Sequence, residues 1–276
     1  MADEVGSEPP QHGLRARAGL KERVDRLLVQ RGLAPSRTRA RALIEDGKVL
    51  ADGAVVARAS DTIAVDATLT VAERDHPYVS RGGLKLAGAL ADLAVDVCGA
   101  VIADVGASTG GFTDCVLRAG ASRVYAIDVG HDQLHASLRS DPRVHAQEGV
   151  NARYLTAESL PEPVELVVVD ASFIGLAKLL PALALLVRQE GRVLALVKPQ
   201  FEVGPDRVGR RGVVDDDALR DEALRAVIAA AAECGLAFVA SADSRVPGPQ
   251  GNREIFALFL RDAALSGRAP AGTPAP

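Results

Sequence analysis

The chain has 276 residues, of which 48% are hydrophobic and 25% charged, as expected for a globular protein with one large and one small domain. Its longest apolar run, Leu176–Val187, is interrupted by Lys178 and is shorter than the roughly 20 residues of a membrane span. No N-terminal segment has the apolar core of a signal peptide. Three cysteines without CxxC spacing favour a reducing compartment. We therefore expect a cytoplasmic protein with buried structural thiols.

The basic residues are concentrated near the N-terminus. Between Leu14 and Lys48 there are ten lysines and arginines but only four acids, within a chain whose net charge is −4. Such an asymmetry predicts a polyanionic partner for the basic segment.

Residues 19–74 have the pattern of a small module of two helices and short strands. The stretch LKERVDRLLVQRGL places Leu20 and three further apolar residues on one helical face. The stretch PSRTRARALIEDGKV predicts a second helix with Ser36 as its N-cap and Gly47 at its end. KVLADGAVV then predicts a hairpin that turns at Asp52–Gly53.

This order of elements resembles the RNA-binding module first seen in small-subunit ribosomal protein S4. A solvated helix face is the alternative interpretation of its charges, but the local excess of positive charge favours RNA binding. The candidate RNA contacts in this module are Arg23, Arg26, Arg37, Arg39, Arg41 and Lys48.

Helices and strands alternate over residues 81–264, after a linker at 75–80. This alternation predicts an α/β domain with a largely parallel sheet covered on both faces. The last two strands have no helix between them, so we expect the final strand to run antiparallel. Segments 1–18 and 265–276 are polar, contain Gly and Pro, and are expected to be disordered.

The stretch DVGASTGGF follows an apolar strand and has the character of a ligand-binding turn. A dinucleotide fingerprint needs glycine where Ser108 stands, and a phosphate-binding P-loop needs lysine where Phe112 stands. The turn and the helix start behind it therefore suit a carboxylate or the polar edge of a nucleoside.

Two acids flank this turn. Asp104 could meet an ammonium group, and Asp128, 22 residues after Gly106, ends the next strand where nucleotide folds bind a ribose diol. The alternative that Asp128 only caps the following turn stays open. A ligand with ribose, adenine, ammonium and carboxylate but no phosphate is S-adenosylmethionine, whose adenine we place near Glu148–Asn151. The candidate cofactor-binding residues are Asp104, Gly106, Ala107, Ser108, Gly110, Gly111, Phe112, Asp128, Val129, Asn151 and Asp170.

Four charged residues stand at the ends of predicted elements. Asp170 and Lys198 each close a strand, Glu254 opens the antiparallel one, and Lys85 lies in the first turn of a helix. Ligands bind beyond the carboxyl ends of parallel strands. A lysine in a first helical turn opposes the helix dipole by about 0.3–1 kcal/mol, which nearby carboxylates would compensate. Each residue alone could be an exposed lysine or a turn acid, but together they predict a catalytic site.

The order of these four residues matches the K-D-K-E tetrad of ribose 2′-O-methyltransferases of the FtsJ type. The motifs SRGGLKL, DVGASTGGFTD, DASFI, LVKPQFEVG, GVV and GNREIF resemble more closely those of the TlyA family of rRNA 2′-O-methyltransferases, often labelled hemolysins. The resemblance covers nearly the whole chain. It implies a Rossmann-like class I S-adenosylmethionine-dependent methyltransferase domain, with the small α+β N-terminal domain binding RNA.

The same resemblance implies S-adenosyl-L-methionine as cofactor and cytidine in ribosomal RNA of one or both subunits as substrate, with no metal and no membrane. It implies that Lys198 is the base and that Lys85, Asp170 and Glu254 orient it and the ribose. A neighbouring cation lowers the pKa of a lysine and neighbouring carboxylates raise it, so the sequence leaves the protonation states open. Phe173 could stack near the cofactor or the target base, or belong to the core.

The connection Lys198–Val214 is long and lies at the catalytic edge of the sheet, where long loops are commonly functional. Arg207, Arg210 and Arg211 in this loop, together with Arg81, are the remaining candidate RNA contacts. Three rival functions are a pore-forming hemolysin, a small-molecule methyltransferase, and an RNA-binding protein with a relic cofactor site.

Overall fold

A computed structural model of the chain describes residues 20–34, 36–45, 47–71, 76–209, 212–248 and 251–262. The chain forms two compact units, Met1–Asp75 and His76–Pro276. The terminal segments 1–18 and 265–276, predicted to be disordered, lie outside the described residues.

The first unit is a small α+β module. Strand β1 pairs antiparallel with β4, and β2 pairs antiparallel with β3 and β5. The apolar faces of both helices pack with these strands into one cluster. Its elements are β1 (Lys21–Arg23), α1 (Val24–Gln30), α2 (Arg37–Glu45), β2 (Val49–Ala51), β3 (Ala54–Val55), β4 (Thr62–Ala64) and β5 (Leu69–Val71).

The sequence patterns of this unit are largely confirmed. Ser36 Oγ accepts the Arg39 N–H at 3.2 Å at the start of α2. The hairpin turns at Asp52 and Gly53, with φ of 49° and 82°, as a two-residue turn of twisted strands requires. The prediction for Leu20 is wrong: it is 59% exposed, because the following residues pair with β4 as a strand and the helix starts only at Val24.

The second unit is built on a seven-stranded sheet in the order β11-β12-β10-β9-β6-β7-β8. All pairs among β6 to β10 are parallel, and β12 runs antiparallel to both neighbours, as predicted for the final strand. The strands are β6 (Val101–Val105), β7 (Arg123–Asp128), β8 (Val144–Glu148), β9 (Val164–Val169), β10 (Val187–Val197), β11 (Leu236–Asp243) and β12 (Ile255–Arg261).

Each face of the sheet carries its own core. Val193 and Leu194 are consecutive in β10 and belong to different clusters, because side chains alternate between the faces of a strand. One cluster includes residues of α6 and α8, and the other residues of α3 and α4. The helices are α3 (Gly82–Asp92), α4 (Gly111–Arg118), α5 (Ala136–Arg139), α6 (Leu180–Leu186), α7 (Pro199–Glu202) and α8 (Asp217–Glu233).

Two predicted helices are shorter than expected. The helix DQLHASLR is reduced to α5, because Asp132 has a left-handed φ of 54° and its N–H donates to Glu148. Helix α6 begins near Pro181, which favours a helix start, after a short 3₁₀ turn, and Val187 already opens β10. Of the three cysteines, expected to be buried, Cys98 is exposed.

Part of the predicted linker at 75–80 is packed within the second unit. The Val79 side chain is 3% exposed and its N–H donates to Asp114 Oδ2 at 2.8 Å.

The strand register brings the predicted catalytic positions to one edge of the sheet. Val197 is paired with Ile255, so Lys198 follows β10 where Glu254 precedes β12. Asp170 follows β9, the other neighbour of β10. The expectation that these three residues share one edge is confirmed.

Candidate active site

The glycine turn packs tightly against the end of β9. Gly106 has a φ of 83°, and a Cβ atom there would lie 2.5 Å from the carbonyl oxygen of Asp170. The N–H groups of Gly106 and Ala107 both donate to the Ile127 carbonyl, at 2.9 and 3.1 Å. The turn is therefore fixed by backbone contacts, and Gly106 is required by both its conformation and its close neighbour.

Asp104 anchors the helix behind the turn. It is fully buried, and its Oδ2 accepts the N–H and the O–H of Thr113 at 2.9 and 2.6 Å. Its Oδ1 has no hydrogen-bond partner in the described structure. Burial raises the pKa of Asp104 to about 7. Asp104 therefore shapes the turn through Thr113, and its contact with an ammonium group of the cofactor stays a prediction.

Asp128 closes the turn from the neighbouring strand. Its Oδ2 accepts the Ser108 N–H at 2.8 Å, and its Oδ1 accepts the Gly130 N–H at 2.7 Å. The capping role considered from the sequence is therefore present. Because a carboxylate has about four acceptor sites, these two bonds leave capacity for a ligand diol as well.

Two other cofactor candidates have unexpected surroundings. Phe112 is 3% exposed and its ring centroid lies 6.0 Å from that of Phe256, so its side chain packs in the core, and a contact with the cofactor stays a prediction. Val129, immediately after Asp128, is 69% exposed.

The polar side chains of the region expected to hold adenine, Glu148–Asn151, form hydrogen bonds with neighbouring residues of the protein. Glu148 pairs with Arg139 at 2.7 Å and accepts the Asp132 N–H at 3.0 Å. Asn151 caps a short turn by accepting the Arg153 N–H at 3.1 Å.

The four predicted catalytic residues come together as two ion pairs. Lys85 Nζ lies 2.5 Å from Glu254 Oε2, and Lys198 Nζ lies 2.5 Å from Asp170 Oδ1. Both lysines are 7% exposed and Glu254 is 1% exposed, so the Lys85–Glu254 pair is shielded from bulk water. The Asp170 side chain is 23% exposed, so the second pair is partly open to solvent.

The two carboxyl groups of the tetrad differ electrostatically. Burial raises the pKa of Asp170, but the charges of Lys198 and Lys85 outweigh burial and the net shift is downward. For Glu254 burial dominates over the same two lysines, and the pKa is raised. Asp170 is thus the more firmly charged partner.

Sequence reasoning missed two side chains at this edge. Ser172 Oγ accepts a hydrogen bond from Lys198 Nζ at 2.8 Å. Asn252 is 2% exposed, accepts the Val214 N–H at 3.0 Å and donates to the Gly212 carbonyl at 2.8 Å. Both residues stand inside motifs that were recognised, DASFI and GNREIF, but only three-dimensional contacts reveal their partners.

Phe173 is 92% exposed and has a left-handed φ of 67°. Its ring centroid lies 5.6 Å from that of Phe201. The interpretation as a core phenylalanine is therefore wrong, and stacking on a ligand stays a prediction.

The candidate RNA contacts of the first unit are mostly held by acids. Arg23, Arg37 and Arg41 surround Asp25, and Arg26 lies 3.6 Å from Glu22. The remaining two candidates differ in exposure: Arg39 is half-buried, whereas Lys48 is only 6% exposed and thus poorly placed for a phosphate.

In the second unit, Arg207 is paired with Glu222 of α8 at 2.7 Å and stays 45% exposed. Arg81 precedes α3 and is half-buried. The predicted contacts Arg210 and Arg211 lie outside the described residues.

The domain has a Rossmann-like sheet with one antiparallel strand. One edge of this sheet carries both a glycine turn that lacks a phosphate-binding lysine and the K-D-K-E cluster. Together these features define a methyltransferase domain. The model of the FtsJ-like methyltransferase family matches residues 78–261, and the S4 domain model matches residues 22–69. The chain belongs to the FtsJ-like methyltransferase family, and the resemblance stated from the sequence is confirmed.

The chain is also similar to individual proteins of this class. The chain is 47% identical to the 16S/23S rRNA (cytidine-2′-O)-methyltransferase TlyA of Mycobacterium tuberculosis, over 90% of this chain and 94% of the relative. It is 42% identical to YqxC of Bacillus subtilis, over 87% and 85% of the two chains. A solved structure from Streptococcus thermophilus, named as a hemolysin, superimposes with a TM-score of 0.69 at 38% identity, covering 88% of this chain and 89% of that one.

The name hemolysin raises the question of membrane insertion. Within the described ranges, no helix combines the length and the apolar character that crossing a bilayer requires.

Proposed function

We propose that this protein transfers a methyl group from S-adenosylmethionine to the ribose 2′-hydroxyl of cytidine in ribosomal RNA, within assembled small or large subunits. The observation that carries the proposal is the juxtaposition of two ion pairs, Lys85–Glu254 and Lys198–Asp170, at the sheet edge that also carries the glycine turn. The activity named for the TlyA relative supports the choice of substrate.

The chemistry of the turn fits this cofactor. The turn lacks a lysine for phosphates, and Asp128 retains acceptor capacity for a ribose diol. When bound, the cofactor supplies an electrophilic methyl group on a positively charged sulfur. The residues proposed to hold it are Asp104, Gly106, Ala107, Ser108, Gly110, Gly111, Phe112, Asp128, Val129, Asn151 and Asp170.

Lys198 is proposed to take the hydroxyl proton. Asp170 and Ser172 hold its Nζ at 2.5 and 2.8 Å and so fix the direction of the amine. In its neutral form Nζ accepts the proton of the 2′-hydroxyl while the oxygen forms its bond to the methyl carbon. The bond between that carbon and the sulfur would break at the same time, its electron pair staying on the sulfur of the departing S-adenosylhomocysteine. Lys85 and Glu254 orient the ribose beside it. Much of the rate then comes from alignment of the reacting atoms, which can be worth about 7–11 kcal/mol.

The RNA is proposed to contact both units. The arginines of the first unit and Arg207, Arg210 and Arg211 of the second supply phosphate contacts, which makes binding fall with salt. Phe173 is exposed near this edge and is proposed to stack on a base. Such a substrate places the enzyme with ribosomes in the cytoplasm.

The proposal is tested by replacing Lys198. Lys198→Ala and Lys198→Arg are assayed for methyl transfer to purified ribosomal subunits, with Lys178→Ala, an exposed lysine outside the site, as matched control. Loss of a general base lowers the rate by about 10²–10⁴-fold. Lys198→Arg keeps the charge but cannot deprotonate, so it should be as inactive as the alanine variant. Near-wild-type turnover of either folded variant removes Lys198 as the base.

Substrate identity is tested by mass-spectrometric mapping of 2′-O-methylated nucleotides in ribosomal RNA from cells with and without the gene. A cytidine methylated only when the gene is present supports the proposal. Cofactor binding without transfer to any RNA would favour the relic RNA-binding protein, and leakage of dye from liposomes would favour the hemolysin.

A further inference from the structure

Asp25, at the start of α1, is a fully buried carboxylate surrounded by arginines. Arg23 binds it through Nε and Nη2, both at 3.0 Å. Arg37 approaches Oδ2 through Nη2 at 2.9 Å and Nε at 3.3 Å, and Arg41 Nε lies 3.6 Å away. These four side chains, referred to below as the Asp25 cluster, join the beginning of α1 to α2.

The cluster carries excess positive charge at the surface. One carboxylate balances only one of three guanidinium groups, whose side chains are 34%, 46% and 53% exposed. The hydrogen bond from Arg23 outweighs burial and holds the pKa of Asp25 far below its usual range. The Asp25 carboxylate is therefore negatively charged at neutral pH.

Each arginine keeps donors for a ligand. A guanidinium has five N–H donors in a rigid plane, and Arg23 and Arg37 each direct only two nitrogens at Asp25. Without Asp25, three like charges in one place would repel each other and spread. With it, their planes are fixed before a phosphate arrives, so less side-chain freedom is lost on binding.

We infer that Asp25 is a positioning residue that holds Arg23, Arg37 and Arg41 as a preformed binding site for the phosphate backbone of RNA. This inference rests on the proposed function, because it assumes that the first unit binds RNA. Asp25 would thus promote RNA binding, although its negative charge by itself repels the phosphate backbone.

Positioning and charge predict opposite effects for Asp25→Asn. Removal of a negative charge alone strengthens RNA binding, whereas loss of positioning weakens it. Asp61→Asn is the matched control. The Asp61 carboxylate pairs at 4.0 Å with Arg58 in the same unit, and the substitution leaves in place its backbone carbonyl, which accepts the Val24 N–H beside the Asp25 cluster at 2.9 Å. The full-length variants are titrated with deproteinised ribosomal RNA over a range of salt concentrations.

We expect Asp25→Asn to weaken RNA binding about tenfold, because two or three arginine side chains that Asp25 holds in wild type must then be ordered when RNA binds. For Asp25→Asn the dependence of RNA affinity on salt concentration should also become weaker, and KM for ribosomal subunits should rise while kcat is unchanged. Asp61→Asn should bind RNA slightly more tightly than wild type, because it only loses a negative charge. Asp25→Asn that binds as tightly as Asp61→Asn overturns the inference.

Arg37→Lys tests the same idea if Asp25→Asn folds poorly. Lysine keeps the charge but cannot approach Asp25 with two nitrogens of one rigid plane. Arg58→Lys is its control, since Arg58 is 52% exposed in the same unit, comparable to Arg37 at 46%. Severalfold weaker binding of Arg37→Lys than of Arg58→Lys is expected, and equal affinities contradict the inference.

A third variant separates this inference from the proposed function. Neutralising Arg23, Arg37 and Arg41 together to glutamine should abolish most RNA affinity of the first unit. If it has no effect, the cluster is not an RNA site and the inference fails, whereas the proposed methyl transfer is refuted only by the Lys198 variants. If it weakens binding while Asp25→Asn does not, the RNA site stands and only the positioning role of Asp25 is refuted.

Discussion

Lys85 and Glu254 are separated by 169 residues in the chain, yet Lys85 Nζ lies 2.5 Å from Glu254 Oε2 in a buried ion pair. The pair connects the first turn of α3 to the start of β12. Burying two charges is costly, and their attraction repays the cost only while both are present. The lysine that opposes the dipole of α3 is thus compensated by a carboxylate, as the sequence predicted.

Removal of one partner should therefore harm both stability and activity. Glu254→Gln leaves the buried Lys85 without its counter-ion, and we expect the free energy of unfolding to fall by about 3 kcal/mol. A displacement of about 1 Å at the site can cost about 10²-fold in rate. Denaturant unfolding and methyl transfer to ribosomal subunits measure the two effects.

The double variant Lys85→Met/Glu254→Leu separates them. Replacement of a buried ion pair by apolar side chains is often neutral or stabilising, so the double variant should recover most of the lost stability but remain inactive. Full activity of the double variant would show that this pair is only structural.

Phe173 and Phe112 should respond oppositely to alanine. Phe173 is 92% exposed, so Phe173→Ala should change stability by less than about 0.5 kcal/mol. If it stacks on a base, KM for RNA should rise by an amount equivalent to about 1–3 kcal/mol. Phe112 is 3% exposed, and Phe112→Ala should destabilise by about 3–5 kcal/mol. An unchanged KM for Phe173→Ala would exclude stacking on the substrate.

Gly106→Ala should be far more harmful than the same change at Gly99. Both glycines have positive φ, 83° and 71°, but a Cβ at Gly99 meets nothing within 4 Å, whereas at Gly106 it would lie 2.5 Å from the Asp170 carbonyl. Gly99→Ala measures the conformational cost alone, about 1 kcal/mol. Gly106→Ala should cost more and reduce methyl transfer by moving Asp170. Equal stability losses, measured by thermal unfolding, would contradict this packing argument.

Much of the fold follows from local patterns in the sequence. Apolar runs such as Val164–Val169 predict strands buried on both faces, and their alternation with helices predicts parallel pairing. The parallel arrangement then places Asp170 and Lys198 at one edge without any knowledge of side-chain contacts. The antiparallel final strand adds Glu254 to the same edge.

Burial of individual side chains is what the sequence does not predict. Phe112 and Asp104 flank the glycine turn in the sequence, but only long-range packing decides that their side chains are buried. The Asp25 cluster depends on contacts between β1, α1 and α2, in which an ordinary helix acid becomes fully buried. Residue type and spacing carry no information on such burial.

The burial of Asp104 predicts a specific pH dependence of stability. Its pKa is about 7 in the folded protein and close to 3.8 in the unfolded chain. Between these values only the folded state holds the proton, so unfolding releases it and wild-type stability falls as pH rises from 4 to 7. Asp104→Asn lacks this titration. Its stability relative to wild type should therefore increase over the same range, by up to about 4 kcal/mol.

Asp92→Asn provides a control of opposite sign. The hydrogen bond from Arg245 lowers the pKa of Asp92 in the folded protein, so wild type gains stability as pH rises through the ordinary range of an aspartate, and the variant does not. Denaturant unfolding of the three proteins from pH 3 to 8 gives both differences. A pH-independent difference between Asp104→Asn and wild type would mean that Asp104 is ionised throughout. In that case a group other than Thr113 must stabilise the negative charge on Asp104, whose Oδ1 has no hydrogen-bond partner among the described residues. Helix α4 would then be anchored by a charged carboxylate and not by a neutral one.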